Sequence, residues 1–264
     1  MDKLIIAIVI LTAIGLLCAV LLVIAGKVMA VPVDETFEKV RACLPGANCG
    51  ACGFAGCDGY ADALSKGKTK DCALCVPGAS KVAGEVAEVM GLEAGNVEKK
   101  VAFITCRGTC ENTSDKFVYD GISSCSAAEL FYAGPGQCTF GCMGFGDCAA
   151  VCDQGAICIE NGMAHINPAL CIGCGKCAKA CPNKLIDIIP ANVPVYVTCG
   201  NREKGAMTRK RCKVGCIGCK KCEKVCESGA ITVDNNLAKI DYSKCTGCGK
   251  CAENCPSGCI LVRK

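Results

Sequence analysis

The sequence predicts an α+β protein built as a series of small cysteine-held units behind one long apolar helix. Three observations carry that prediction: thirty cysteines in 264 residues, an uncharged run from Leu4 to Gly26, and an internal repeat at an offset of 74 residues. Trp is absent and aromatics make up 5% of the chain, so a large aromatic core of the usual kind does not hold the soluble part. Cysteine chemistry has to supply what the core lacks. A single His argues against a His-rich zinc site, a His-based triad or haem held by several histidines. A net charge of +4 with no long Lys/Arg block argues against a nucleic-acid partner.

The first element is the apolar run. Leu4 to Gly26 is 23 residues long, enough at about 1.5 Å per residue to cross a hydrocarbon core of roughly 30 Å. Residues 1–28 therefore read as one transmembrane anchor. A cleaved signal peptide is the rival reading, but the run exceeds the apolar core of such peptides and no convincing small-x-small site precedes Pro32. Lys27, Lys39 and Arg41 follow the run while Lys3 alone precedes it, which favours a cytoplasmic C-terminal side. Cys18 inside the run reads as a small apolar residue. In a reducing cytosol, cysteines at tight repeated spacings mean metal rather than disulfides.

The second element, residues 32–92, carries Cys49-x2-Cys52-x4-Cys57 and a distant Cys75-Val-Pro-Gly. Three ligands lie near in sequence and one far. Asp34 is placed to cap a short helix bearing Phe37, Val40 and Leu44, and Gly59 to Leu64 continues helically after the third cysteine. Cys72 competes with Cys75 for the distant position, and Cys43 reads as a buried small residue. Residues 93–135 follow as a linker region with extra cysteines.

The repeat comes next. A shift of 74 carries Cys125, Cys138, Cys142, Cys148 and Cys152 onto Cys199, Cys212, Cys216, Cys222 and Cys226. It also carries Cys171, Cys174, Cys177 and Cys181 onto Cys245, Cys248, Cys251 and Cys255. Such a match is a duplication. It divides the rest of the chain into a module at 136–190, a basic connector at 191–211 and a module at 212–264. Ile157 to Ile166 and Ile231 to Ile240 alternate as hairpins with turns at Asn161-Gly162 and Asn235-Asn236. Ala178 to Ala180 has room for a helical turn or two.

Cys171-x2-Cys174-x2-Cys177-x3-Cys181-Pro182, repeated at Cys245 to Pro256, is the C-x2-C-x2-C-x3-C-P run of bacterial iron–sulfur proteins, whose fourth Cys ligates the other cluster of a pair. Two intervening residues let three thiolates converge on three corners of a cube, and Gly lets the backbone approach the sulfides. Zinc is the competing use of four thiolates, but it rarely takes three within seven residues.

On these motifs the repeats resemble ferredoxin modules holding two [4Fe-4S] clusters each. The resemblance implies that Cys171, Cys174 and Cys177 take Cys152 as fourth ligand, and that Cys245, Cys248 and Cys251 take Cys226. It further implies Cys216, Cys219, Cys222 and Cys255 for the second cluster of the later module. For the earlier module it implies Cys138, Cys142, Cys148 and Cys181, with a departure, since Phe145 stands where Cys219 would match. Cys212, the mate of Cys138, is a reserve candidate. The unit around Cys49, Cys52, Cys57 and Cys75 resembles the small four-cysteine [4Fe-4S] domain found beside redox modules and in corrinoid iron–sulfur proteins.

In this order the units resemble the B subunits of Rnf complexes, membrane-bound ferredoxin:NAD oxidoreductases that pump Na⁺ or H⁺. The implied fold is α+β: a single N-terminal transmembrane helix, a small helical [4Fe-4S] domain and tandem two-cluster ferredoxin-like modules with short hairpins and helices. The implied function is electron transfer from reduced ferredoxin through [4Fe-4S] clusters to other membrane and peripheral subunits. The implied location is the cell inner or plasma membrane, single-pass, with the iron–sulfur domains on the cytoplasmic side. No Gly-x-Gly-x-x-Gly follows a strand, and Gly67-Lys68-Thr69 lacks the Gly of a phosphate loop, so nucleotide chemistry belongs to partners and no catalytic residue is expected here. A corrinoid methyl-transfer protein would need a cobalamin domain for which no residues remain.

Five clusters leave ten cysteines over. Cys106-x3-Cys110 with Cys125, Cys199 and Cys212 could furnish a sixth cluster, buried free thiols being the alternative. His165 reads as a solvent-facing hairpin residue. Five clusters with their thiolates carry the formal charge from +4 to about −6. Docking of an acidic ferredoxin then calls for a local basic patch. Lys66, Lys68 and Lys70 form one candidate, and Arg202, Lys204, Arg209, Lys210, Arg211 and Lys213 another.

Overall fold

The computed structural model describes residues 2–28, 34–95 and 97–263, and within its first helix it describes side chains at Ile5, Ile6 and 12–25. That helix, α1, spans Asp2–Val28. Among the described residues no helix is long and apolar enough to cross a membrane: the continuous stretch with described side chains, 12–25, covers only about 21 Å at ~1.5 Å per residue. Several side chains of the span read at Leu4–Gly26 thus lie outside the described ones.

Three helices build the four-cysteine unit. α2 (Glu35–Cys43) starts at Asp34, whose carboxylate accepts from the Thr36 and Phe37 amides at 3.0 and 3.4 Å, satisfying two otherwise orphaned donors. α3 (Gly56–Ser65) and α4 (Ala79–Met90) pack against it. Val40, Leu44, Tyr60, Leu64, Val82 and Val86 form their core, into which Cys57 and Cys75 project. α4 ends at Gly91 in the left-handed region (φ +62°).

The chain then enters a two-stranded pattern used twice. β1 (Lys100–Ile104) leads into α5 (Cys125–Glu129) and α6 (Asp147–Ala150), then into a hairpin of β2 (Ile157–Glu160) and β3 (Met163–Ile166). α7 (Lys176–Ala180) follows, and β4 (Ile186–Pro190) returns antiparallel to β1, pairing Val101 with Ile189. In the second copy β5 (Val195–Val197), α8 (Gly205–Arg211) and α9 (Lys221–Lys224) precede the hairpin of β6 (Ile231–Asp234) and β7 (Leu237–Ile240). α10 (Lys250–Glu253) and β8 (Ile260–Val262) close it, β8 pairing with β5. Both hairpins turn where expected, with positive φ at Asn161 and Gly162 and at Asn235 and Asn236, the conformation that matches strand twist.

The module boundaries need correction. β1 lies in the stretch expected as a linker, 93–135, and β5 in the expected connector, 191–211, yet each completes the sheet of the module that follows. The pairing is long-range, so cysteine spacing carries no trace of it. Each module's core is small and aliphatic, Val101, Ile157 and Ile186 in the first and Val195, Ile231 and Ile260 in the second, interleaved with cysteines.

Candidate metal centres

In the first unit, burial raises the pKa of the Cys75 thiol, with Cys57, Cys49 and Cys52 adding to the rise, so these four sulfurs share one neighbourhood. Cys72 instead donates to the Lys70 carbonyl at 3.8 Å. Cys43 donates back along its own helix to the Lys39 carbonyl at 3.3 Å.

Each module surrounds two pockets with cysteines. Cys152, Cys171, Cys174 and Cys177 line one in the first copy, against Ala102 and Ile157. Their repeat mates Cys226, Cys245, Cys248 and Cys251 line its counterpart, against Val195 and Ile231. The loop before α7 or α10 supplies two of the four, the first turn of that helix the third, and the segment just after α6 or α9 the fourth. Cys216, Cys219, Cys222 and Cys255 line the other pocket of the second copy, with Cys259 beside them.

The remaining pocket departs from the expected set. Cys142, Cys148 and Cys181 line it together with Cys125, and Cys138 is not among its walls. Cys138 faces a larger cavity, about 220 Å³, between the two modules, whose cysteines also include Cys106, Cys110, Cys199 and Cys212. Asp147 holds Cys125 in its position. Its carboxylate accepts from the Cys125 and Ser126 amides, both at 2.9 Å, and from the Ser124 and Ser126 hydroxyls at 3.0 and 2.9 Å. Burial would raise the Asp147 pKa, but these bonds outweigh it and hold the carboxyl below its usual range. Phe145, the residue standing at the position of Cys219, packs edge-on against Tyr119 with ring centroids 5.4 Å apart.

Backbone amides are aimed at sulfur. Cys171 Sγ accepts from the Ala102 and Gly173 amides at 3.2 and 3.5 Å, and Cys181 Sγ from the Leu185 amide at 3.4 Å. Bonds of this kind stabilise thiolate and help set a cluster's potential. The approach is close. A Cβ on Gly173 (φ +68°) would lie 2.4 Å from the Lys100 carbonyl oxygen, and one on Gly247 (φ +74°) 2.6 Å from Pro194.

Without metal, burial pushes Cys148 up to about 12, with Cys142, Cys125 and Cys181 adding, and pushes Cys177 and Cys222 up to about 11. Metal binding has to displace those protons. Cys216 and Cys255 are drawn down, to about 6 and about 4, each chiefly by a bond from the buried Cys259 thiol. Among the described residues no group of three His, Cys, Asp or Glu side chains is placed to hold a single ion. Cysteines spread around apolar-walled pockets, with amides aimed at their sulfurs, fit a cube with iron at four corners.

Other expected residues are placed differently. His165 is half-buried on β3, and its Nε2 has no hydrogen-bond partner, so it does not face solvent. Lys66 and Lys68 both pair with Asp62, the latter at 3.5 Å, which offsets part of that basic patch. Arg211 pairs with Glu203 at 2.7 Å with both side chains largely covered, a structural contact rather than a docking charge.

Residues 44–77 match the FeS family of Fe-S cluster segments, residues 164–187 a 4Fe-4S binding domain and residues 215–259 a 4Fe-4S dicluster domain. Over 231 residues the chain is 47% identical to the B subunit of the Na(+)-translocating ferredoxin:NAD(+) oxidoreductase complex of Acetobacterium woodii, covering 87% of this chain and 69% of that protein. Over 244 residues it is 40% identical to the B subunit of the proton-translocating ferredoxin:NAD(+) oxidoreductase complex of Clostridium ljungdahlii, covering 92% and 86%. The chain belongs to the Rnf B-subunit family. A third relative, the B subunit of the ion-translocating oxidoreductase complex of Methanosarcina acetivorans, is 39% identical and covers 90% of each chain. In this family member the matched cluster segments coincide with the four-cysteine unit and parts of both modules. Residues 105–137, which carry Cys106, Cys110 and Cys125, lie in none of them.

Proposed function

We propose that this chain is the iron–sulfur electron-transfer subunit of a membrane-bound, ion-translocating ferredoxin:NAD⁺ oxidoreductase. The observation that carries the reading is the paired pockets of each module, three ringed by four cysteines and one by four with Cys259 as a fifth, drawn from both halves of the repeat. The ligand sets are Cys49, Cys52, Cys57 and Cys75; Cys152, Cys171, Cys174 and Cys177; Cys125, Cys142, Cys148 and Cys181; Cys216, Cys219, Cys222 and Cys255; and Cys226, Cys245, Cys248 and Cys251. Bound there, [4Fe-4S] clusters supply one-electron carriage. The chain's own residues set their spacing, direct amides at sulfur and keep water out with Ile and Val walls.

Reduced ferredoxin is the donor and other subunits of the complex are the acceptors, with the nicotinamide chemistry left to those partners. The Leu4–Gly26 run is a single-pass anchor in the cell membrane, and the basic residues after it keep the clusters on the cytoplasmic side. Val76, next to Cys75, meets the Gly173 loop, which supports a path from the first cluster into the first module.

Anaerobic purification followed by iron and zinc counts tests the reading. A brown protein with at least about 20 iron per chain, bleached by reduced ferredoxin, is expected; a colourless zinc protein would sink it. Removal of residues 1–28 should leave a soluble brown product. Quantitative partition of that product into membranes without partner subunits would remove the single-anchor assignment.

A further inference from the structure

We propose that Cys106, Cys138, Cys199 and Cys212 hold a sixth [4Fe-4S] cluster, shared between the two ferredoxin modules. The proposal rests on the iron–sulfur reading above but uses cysteines that none of its five sets employs. All four line the cavity of about 220 Å³ where the modules meet.

Symmetry relates the four. Cys106 follows β1 by two residues, and Cys199 follows β5 by two. Before the first, the Thr105 amide and hydroxyl both donate to the Leu185 carbonyl, at 2.7 and 3.0 Å. Before the second, the Thr198 amide and hydroxyl both donate to the Cys259 carbonyl, at 2.7 and 2.9 Å. Cys106 Sγ accepts from the Cys142 amide at 3.4 Å, and Cys199 Sγ from the Cys216 amide at 3.2 Å. Leu185 and Cys259 are repeat mates, as are Cys142 and Cys216, so Cys106 and Cys199 occupy one structural position in two copies. Cys138 and Cys212 are mates as well. The cavity therefore draws the same two positions from each module, and four thiolates is the number a cube needs.

The hydrogen bonds at three of these sulfurs run in the direction a thiolate requires. Cys106 also accepts from the Gly108 amide at 3.3 Å, Cys199 from the Asn201 amide at 3.4 Å, and Cys138 from the side-chain amide of buried Asn201 at 3.6 Å. These repeat the amide-to-sulfur bonds of Cys171. The spare thiols do the opposite: Cys43, Cys72 and Cys110 donate to carbonyl oxygens and Cys158 to the Glu160 carboxylate. Cys110 touches the same cavity, yet it is exposed and its thiol is spent on the Asn161 carbonyl at 3.3 Å.

The junction is fixed from both sides. Thr113 donates its hydroxyl to the Arg211 carbonyl at 2.7 Å, the Lys213 amide donates to the Asn112 carbonyl at 2.9 Å, and Arg107 reaches the Gly258 carbonyl at 3.1 Å. Cys142 and Cys216, whose amides bond the sulfurs of this site, are themselves ligands of the flanking clusters. The shared site thus joins two separate pairs into one continuous relay.

The test uses full-length protein purified anaerobically. Wild type should hold about 24 iron and matching acid-labile sulfide per chain instead of about 20. Cys138→Ala and Cys212→Ala should each lose about four iron and keep the remainder, while Cys110→Ala loses none. Cys138→Ser, which retains an oxygen ligand, should alter the electron paramagnetic resonance spectrum of one cluster. A wild-type count of about 20, unchanged in the alanine variants, overturns the sixth site and leaves the five-cluster reading standing. A count of about 24 that survives Cys138→Ala overturns this ligand set. Zinc in place of iron overturns both readings. If an alanine variant fails to fold, the wild-type count and the serine variant's spectrum still decide.

Discussion

The two ferredoxin modules descend from one sequence yet complete their second pocket by different routes. The later module uses a contiguous run, Cys216, Cys219 and Cys222, closed by Cys255. In the earlier one the middle position is Phe145, and the missing thiolate arrives from the start of α5 as Cys125, some twenty residues upstream. The exchange is coordinated. The stretch between β1 and α6 supplies Tyr119 to cover the Phe145 ring and Cys125 to line the pocket, and Asp147, beside Cys148, holds the start of α5 in place through four hydrogen bonds. Both pockets are ringed by cysteines, while the chain segments that deliver them differ.

Breaking that ring should give the largest effect. Cys125→Ala is expected to cost about four iron and several kcal/mol of stability, as losing a ligand of a structural metal does, while Cys158→Ala on the outer face of β2 costs nothing. Introducing Phe145→Cys into the Cys125→Ala background should restore the iron, because it rebuilds in the first module the arrangement of the second. Iron counts and thermal unfolding under argon check both; failure of the double variant to recover iron would mean that the modules are not interchangeable at this position.

The clamp ranks next. Asp147→Asn keeps the shape but removes a charged acceptor of four bonds, for an expected loss of about 1–3 kcal/mol and partial iron loss confined to this pocket. The second module, whose ligand needs no clamp, should be indifferent to changes at the matching Lys221. Smaller still is the difference between Gly173→Ala and Gly247→Ala. The first drives a Cβ to 2.4 Å from a backbone carbonyl oxygen and the second to 2.6 Å from the Cγ of Pro194, outside the backbone, so the first should cost about 1 kcal/mol more by thermal unfolding.

The smallest effect concerns charge. Arg209 and Lys210 lie in the last turn of α8 and are exposed, whereas Lys66 and Lys68 share Asp62. Arg209→Glu with Lys210→Glu should slow stopped-flow reduction by ferredoxin by less than about tenfold at low salt, more than Lys66→Glu with Lys68→Glu does. Salt should erase the difference, since the Debye length is about 10 Å at 0.1 M. Rates equal to wild type at every salt concentration in both variants would remove both surfaces as docking sites.

Short-range features were legible in the chain. The C-x2-C-x2-C-x3-C-P runs, the Asn-Gly and Asn-Asn turns and the Asp34 cap each depend on neighbours within a few residues; the cap and both turns form as expected, and the first three cysteines of each run line one pocket. Long-range ones were not. Sliding the sequence by 74 laid Cys125 over Cys199, but the hydrogen bonds make Cys106 the counterpart of Cys199, because the longer stretch between β1 and α6 shifts the register. A signal was present: Ile104-Thr105-Cys106 and Val197-Thr198-Cys199 share the pattern of a β-branched pair before cysteine at a different offset. Phe145 carried a second signal, since a ring short of one cysteine has to import it. The partners of β1 and β5 left no local trace at all.

The pairing of β1 with β4 also sets a clock on biosynthesis. Ile104 waits for Ile186, and at ~5–20 residues per second the intervening 82 residues take about 4–16 s to emerge from a ribosome. During that interval the thiols from Cys106 to Cys181 are made while the sheet meant to enclose them is still open. Iron and sulfide that arrive within those seconds meet thiols the sheet does not yet cover.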